Sequence, residues 1–486
     1  MPDLSRLYDE IYTQGEYSTI EHPLPTNPLT AVSGTVRPNS IAIEGGAFGD
    51  EGKGRIVDEV CAMLIQTHGK GIVYRWNGGA NAGHTVIVDG QKLALHQFPS
   101  GVVAPGSTVI LGRGMVIHPG DLVLEIDILM QAVGELPALK IDSMAVLALD
   151  THRVLEYTLR KWATGKHGAT GRGISPAYAD VLLRHPVRAR DLAADDWRER
   201  LGKHYDMYNA LIRGLDDDLA TTEVLRLNSP PLAVGNKFVF LDRLGAQRAL
   251  LLPYITDVYN FIRDQWADPT MPFIFEGAQG VGLDPRYGVY PDVTSSDPTF
   301  SGIMASTEGL IRAEEIAIRA ATIKATYMSS VGQRRLPTEM EPAIAERIRE
   351  DAHEYGTTTR RPRDVAYLDV PCLHFFAQVS RATHLVLTHL DIAYPEESIK
   401  VCTHYLDADG NPAGYRPDQA YLDTVTPQYV ELPSWDGKMV ESVTNLADLP
   451  AEARQYIAYV TAALGTEPLF GTTGPERDAL ISWLPT

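Results

Sequence analysis

The chain's hydrophobic positions fall into short blocks from Ser40 onward. Ile41-Ala42-Ile43-Glu44 is an apolar run ending at Gly45-Gly46, which predicts a buried strand entering a glycine-rich loop. Beyond the loop, Ile56, Val57, Val60 and Leu64 recur at helical spacing. Further runs at Gly71–Trp76, Ser107–Leu111, Met144–Leu149, Phe273–Phe275 and His384–Leu387 read as strands. Pro119–Val133, Gly245–Asp268 and Thr307–Ala321 read as helices between them. Strands alternating with helices predict an α/β fold, with a large, mainly parallel central sheet flanked by helices. The acidic clusters Asp195–Glu199 and Asp216–Asp218 read as solvated helix faces. Residues 1–38 differ: after a short helix expected near Leu7–Tyr12, Pro23, Pro25, Pro28 and Pro38 interrupt a segment without hydrophobic period. The expected organisation is an N-terminal extension, 1–38, and a single large domain, 39–486.

Composition narrows the partners. The 486 residues carry 43 Lys and Arg against 62 Asp and Glu, a net charge of −19. That argues against nucleic acid and anionic membranes, which need a basic face. A hydrophobic content of 44% with 22% charged residues is that of a globular chain. Cys61, Cys372 and Cys402 are widely spaced, which disfavours a disulfide framework or zinc site and suggests the reducing cytoplasm. Met1–Gln14 lacks the pattern of a secretory leader, and the uncharged stretch from Leu93 to Gly112 is broken by Pro99 and Pro105.

Two segments carry the chemistry. Gly45-Gly46-Ala47-Phe48-Gly49-Asp50-Glu51-Gly52-Lys53-Gly54-Arg55 joins the first strand to the first helix. Freed backbone N–H groups and a helix N-terminus make an anion site there, to which Lys53 adds a point charge. Its spacing is one residue longer than that of a standard P-loop, and Gly54 stands where a Ser or Thr would hold magnesium. Asp50 is unusual beside a phosphate. The bland alternative is a tight turn carrying an exposed acid. Asn77-Gly78-Gly79-Ala80-Asn81-Ala82-Gly83-His84-Thr85 follows the second strand. Asn81 offers a donor and an acceptor, and His84 a general acid or a phosphate donor; a lone His is more often structural, but the dense Gly/Asn setting favours function.

Together, Gly49–Arg55 and Asn81–Thr85 strongly resemble the adenylosuccinate synthetase family, and the likeness continues in order along residues 40–480. It recurs at Gly168–Tyr178, at Phe275–Gly280 running on to Tyr290–Ser296, at Gly356–Arg363, at Thr388-His389-Leu390-Asp391, and at Thr472-Thr473-Gly474-Pro475. The resemblance implies a P-loop-like nucleotide-binding fold of that type. It also implies GTP-dependent ligation of inosine monophosphate (IMP) and L-aspartate to adenylosuccinate, the first committed step of AMP synthesis, through a 6-phosphoryl intermediate. By similarity Asp50 is the base for N1, His84 the acid at the transferring phosphoryl group, and Lys53 and Gln279 complete the catalytic set. GTP would meet Gly49, Glu51, Gly52, Lys53, Gly54, Arg55, Gly83, His84, Thr85, Arg363, His389, Asp391, Thr472, Thr473 and Gly474. IMP would meet Asp50, Asn81, Thr170, Arg184, Gln279, Thr294 and Arg361, and aspartate Thr357, Thr358, Thr359, Arg361 and Arg363. Mg²⁺ is implied on the Asp50 carboxylate and the Gly83 carbonyl, and a homodimer with Arg184 reaching the neighbouring site.

The chain departs from the family pattern in four places. His389 replaces the lysine before Leu-Asp, Arg334-Arg335 replace a glycine and a proline, Arg360 replaces a glycine, and Asp364 an arginine. His389 opens an alternative with ATP as the triphosphate. The other three place an altered amine partner, or a different closure over aspartate, beside the leading reading. A non-catalytic nucleotide-binding regulator is the third alternative. Retention of Asp50, Lys53, His84, Gln279 and Arg361 together argues against it.

Overall fold

The structure is a computed structural model. It describes residues 36–81, 83–88, 91–162, 170–330, 332, 334–356, 362–441, 443–474 and 479–483, with residues 84–88 and 91–92 described by backbone alone. The helix expected near Leu7–Tyr12 lies outside these residues.

Arg37–Gly45 is a central strand buried from Ser40 to Gly45. It pairs in parallel with Phe273–Glu276 on one side and Ile316–Lys324 on the other. Outward from Phe273–Glu276 run Gly71–Arg75, Ser107–Leu111, Ala138–Asp142 and Ile255–Thr256; outward from Ile316–Lys324 run His384–Thr388, Glu467–Thr472 and Leu480–Ser482. Among the described residues this ten-stranded sheet is parallel throughout, except for its edge strand Leu480–Ser482. Parallel strands share one carboxyl edge, where open α/β sheets hold their ligands. Every candidate loop beginning at Gly46, Asn77, Gly277, His389 and Thr473 leaves the sheet at that edge.

The first helix, Lys53–His68, buries Ile56, Val57, Val60, Cys61 and Ile65 against Ile41, Ile43, Val73, Ile274 and Val386 of the sheet. Burying five such side chains contributes on the order of 10 kcal/mol before conformational entropy is charged. This packing holds the helix N-terminus beneath the glycine loop. Cys61, Cys372 and Cys402 are buried free thiols. No helix among the described residues is long and apolar enough to cross a membrane.

Pro119–Val133 is a helix with the bounds expected, with Gly134 left-handed at its C-terminus. Other expectations are corrected. The helix expected over Gly245–Asp268 is two helices, Lys237–Leu251 and Tyr259–Ala267, separated by a 3₁₀ turn at Pro253 and the edge strand Ile255–Thr256. Proline cannot supply the N–H that would continue the helix. The stretch Thr307–Ala321 is turn and a short 3₁₀ segment, Ala313–Glu315, followed by the start of the strand Ile316–Lys324; two parallel neighbours supply that strand's hydrogen bonds, and this pairing outweighs local helix propensity. The run Met144–Leu149 yields only Val146–Leu147 as strand. Asp216–Asp218 lie in a turn, where Asp217 accepts from Thr158 and Lys161, rather than on a helix face. Asp195 and Asp196 precede the helix Trp197–Gly214. A second sheet, built on Tyr327–Ser330, Asp364–Asp369 and Ile399–Leu406, had no clear signal in the hydrophobic pattern.

Candidate active site

The glycine loop is closed by its own acid. The Glu51 carboxylate accepts the backbone N–H groups of Gly49 at 2.6 Å and Ala47 at 3.2 Å, and pairs with Lys53 Nζ at 2.8 Å. These amides face inward because the chain turns through left-handed conformations at Gly49, Asp50 and Gly52. An anion cradle therefore exists in the fold, with a carboxylate seated on part of it. Gly45 cannot carry a side chain, because a Cβ there would collide with the Gln279 carbonyl and the Glu51 carboxylate.

Asp50 points the other way. Its side chain is 46% exposed and forms an ion pair with Arg363 Nη2 at 2.5 Å. Arg363 Nη1 reaches Glu354 at 2.6 Å, and Glu354 also accepts from the Tyr327 hydroxyl at 2.6 Å and from the Lys324 ammonium. Burial by itself would push Glu354 up, but Lys324 and Arg363 outweigh it and hold the carboxyl well below the usual range. Neither Glu354 nor Lys324 was legible as a site residue. A lone lysine ending a buried apolar strand was the available signal.

Gln279 leaves the strand Phe273–Glu276 and adopts φ 63°. Its Oε1 accepts from Ser296 Oγ at 3.1 Å, while its buried Nε2 has no partner among the described residues. Asn77 receives the Ala278 N–H at 2.8 Å and donates to Ser296 Oγ at 3.1 Å, tying the second glycine segment to Gln279. Asn81 Oδ1 is likewise buried without a partner among the described residues. Two orphaned amide atoms near one mouth are what a polar ligand would satisfy. The helix Ile174–Leu182, which follows Thr170, joins the segment of Thr294 through Ser175 and Ser295, whose hydroxyls lie 2.7 Å apart.

The last two loops close the other side. His389 donates its backbone N–H to Thr472 Oγ1 at 3.2 Å and Leu390 to the Thr472 carbonyl at 2.9 Å. Arg55, in the first turn of the first helix, donates to the Gly474 carbonyl. Thr473 is fully buried. Burial, with Lys324 adding to it, pushes His389 down to about 4, so its imidazole is neutral at pH 7. Burial also raises the Asp391 carboxyl.

Candidate residues from five chain segments thus meet at one sheet edge. Arg184 does not join them: it sits at φ 68° just past the helix Ile174–Leu182, exposed beside exposed Leu182 and Leu183, with no ion pair among the described residues. The side chains of His84 and Thr85, and all of Thr357, Thr358, Thr359, Arg360 and Arg361, lie outside the described residues. The arginines 334 and 335 are not free charges at the mouth. Arg334 is 3% exposed, stacks 4.3 Å from the Phe48 ring centre and donates to Ser330 and the Asp292 carbonyl, each at 2.5 Å. Arg335 is exposed and paired with Asp423.

A strand, glycine loop and helix N-terminus on the carboxyl edge of a parallel sheet, ringed by amides and an acid, is the arrangement of a nucleotide-binding α/β enzyme. Residues 42–481 match the family model of adenylosuccinate synthetase, and the chain belongs to that family, whose members are ligases of purine biosynthesis. It is 34% identical to the adenylosuccinate synthetase of Halothermothrix orenii over 442 residues, covering 90% of this chain and 97% of that one. It is 35% identical to that of Thermus thermophilus over 451 residues, 91% and 99% of the two chains. The fully ligated adenylosuccinate synthetase of Plasmodium falciparum superposes with a TM-score of 0.79 at 28% identity, covering 91% of this chain and 99% of that one. The succinoaminodeoxyadenylate synthetase of cyanophage S-2L shares the fold alone, with a TM-score of 0.55 at 17% identity.

Proposed function

We propose that the chain condenses IMP with L-aspartate to adenylosuccinate, driven by GTP. The observation that carries this is the placement of Asp50: a half-exposed carboxylate at the mouth of an anion cradle, with Lys53 in the cradle and Gln279 beside it. The 6-oxygen of hypoxanthine is a poor leaving group. Asp50 takes the N1 proton, electron density builds on O6, and O6 attacks the γ-phosphorus of the triphosphate as the bond to the β-phosphate oxygen breaks and GDP leaves. The amine of aspartate then adds at C6, the C6–O6 bond breaks, and phosphate departs as the amine loses a proton. Lys53 and the freed amides of Ala47 and Gly49 neutralise the transferring phosphoryl group once Glu51 turns away. His84 is the acid at that group. The unpartnered Gln279 amide and Asn81 carbonyl hold IMP, with Thr170, Thr294 and Arg361; Thr357, Thr358, Thr359, Arg361 and Arg363 hold aspartate. Asp391, Thr472, Thr473 and Gly474 line the guanine side with neutral His389.

Mg²⁺ fits the donors present, since the Asp50 carboxylate and the Gly83 carbonyl are hard oxygens, and it would offset phosphate charge there. The exposed Leu182-Leu183 pair beside Arg184 supports a homodimer in which that arginine reaches the neighbouring site. The catalytic domain takes in the whole strand Arg37–Gly45 as well as residues 39–486, with the residues before that strand an extension, in a cytoplasmic enzyme. Because His389 is neutral and replaces a lysine, ATP is the second reading for the triphosphate.

The test is phosphate release by the purified protein with IMP, aspartate, Mg²⁺ and either GTP or ATP. Release dependent on all substrates, and faster with GTP, is expected. Release with ATP alone, or with an amine other than aspartate alone, overturns the reading. Asp50→Asn should lower kcat by about 10²–10⁴-fold while the nucleotide still binds.

A further inference from the structure

Arg363 serves two carboxylates of opposite character. Glu354 is 1% exposed and takes Nη1, while Asp50 is 46% exposed and takes Nη2. Arg363 also gives its backbone N–H to the Glu354 carbonyl at 2.9 Å, so side chain and main chain are both fastened to that residue. Glu354 cannot move, because Lys324 and Tyr327 hold the oxygen that Arg363 leaves free, and Lys324 is fixed in turn by Ser329 at 2.5 Å. The Asp50 end has no such support. Its carboxylate takes no other hydrogen bond among the described residues and faces the mouth of the cradle. Arg363 therefore has a fixed end and a labile end.

A labile guanidinium beside an anion cradle can exchange one anion for another. Arginine binds carboxylate and phosphate with the same planar fork, so the exchange keeps the number of charge-assisted bonds constant. We propose that Arg363 is an exchange residue, held by Asp50 when the site is empty and transferred to the oxygens of an incoming polyphosphate. Glu354 is the positioning residue on which it turns. This rests on the reading of the cradle as a triphosphate site. Two consequences follow. Asp50 is tied up as a base until the anion arrives, so proton abstraction waits for the phosphoryl donor. Asp50 also competes with the donor for Arg363 and weakens its binding.

The second consequence is measured by equilibrium binding of GTP, and separately of inorganic tripolyphosphate, without magnesium. The proteins are wild type, Asp50→Asn, Arg363→Gln and the double variant, each checked for a wild-type melting transition. Asp50→Asn should tighten binding about tenfold, the scale of one recovered charge-assisted bond. In the Arg363→Gln background the same substitution should change affinity less than about twofold. Equal tightening in both backgrounds would mean that Asp50 acts only by bulk repulsion, and would overturn the exchange. So would unchanged or weaker binding in Asp50→Asn. If tripolyphosphate shows the cycle and GTP binds to none of the proteins, the nucleotide reading falls and the exchange stands. Glu354→Gln, which offers one acceptor where three donors converge, should cut the Asp50→Asn gain at least threefold. If that variant does not fold, Glu354→Asp, which keeps the charge but shortens the reach, makes the same measurement with a smaller cut. An undiminished gain in the folded variant overturns the positioning role.

Discussion

The Thr388 hydroxyl lies 2.9 Å from the backbone carbonyl of Glu51, to which it donates across 337 positions of sequence. The same hydroxyl is 3.2 Å from the Ile323 carbonyl. A single buried side chain thus fixes the glycine loop to the last residue of the strand His384–Thr388, from which the loop of His389 and Asp391 departs. The phosphate side and the base side of the site are held in one frame by this threonine. Thr388→Val keeps the shape and removes the donor. It should cost roughly 1–3 kcal/mol, because a buried carbonyl loses its partner. The melting temperature should fall and KM for the nucleotide should rise. A KM equal to wild type in a destabilised protein would show that the contact serves folding alone.

Gly45→Ala tests the close approach of two loops. The added methyl would meet the Gln279 backbone carbonyl and the Glu51 carboxylate, and that carboxylate cannot retreat without leaving the Gly49 amide and Lys53. Phosphate release should fall by at least about 10²-fold, since small misplacements at a reacting centre cost that much. Wild-type turnover would refute the packing argument.

The two new arginines should separate cleanly. Arg335→Ala removes an exposed pair with Asp423 and should change stability by less than about 0.5 kcal/mol, with KM for aspartate unaltered. Arg334→Met leaves the Asp292 carbonyl and Ser330 without that donor and loses the stack on Phe48. A loss of roughly 1–3 kcal/mol is expected. Thermal melts and aspartate titrations of both variants check this. A changed amine preference in Arg335→Ala would revive a direct role at the substrate.

Glu44 has a fully buried carboxyl whose oxygens make no hydrogen bond of good geometry among the described residues, with Ser380 and the Phe300 backbone as weak donors nearby. Burial pushes its pKa well above the ordinary 4.5. The protonated form is therefore favoured in the folded state. Its contribution to stability is complete below pH 4.5 and is lost as pH rises through the raised folded value. Glu44→Leu removes that loss. The gain in stability over wild type, read from thermal melts, should be larger at pH 8 than at pH 5, on the order of 1–3 kcal/mol at pH 8. A gain independent of pH would contradict the assignment.

Much of the site was legible in the chain. Gly45–Arg55 needed only local conformation: glycines free amides, and the apolar spacing after Lys53 makes a helix whose N-terminus faces them. The strand-and-helix alternation predicted the sheet because each short apolar run is long enough to be buried on both faces. The segment Ile316–Lys324 was misread because local sequence there is compatible with a helix, and only two flanking strands make it a strand. The second sheet went unseen for a related reason, since its strands pair across long loops.

The sequence by itself determined the fold class, the anion loop, the presence of Asp50 and Lys53, and the family. These are properties of short segments and their order. Tertiary structure decided which charges are available. In the sequence Arg334, Arg335 and Arg363 are equivalent cations. Folding buries the first against Phe48, spends the second on Asp423, and sets the third between Glu354 and Asp50. A charge acts through the few ångströms around it and the water it keeps or loses. Both are set by residues distant in sequence, so no local pattern records them.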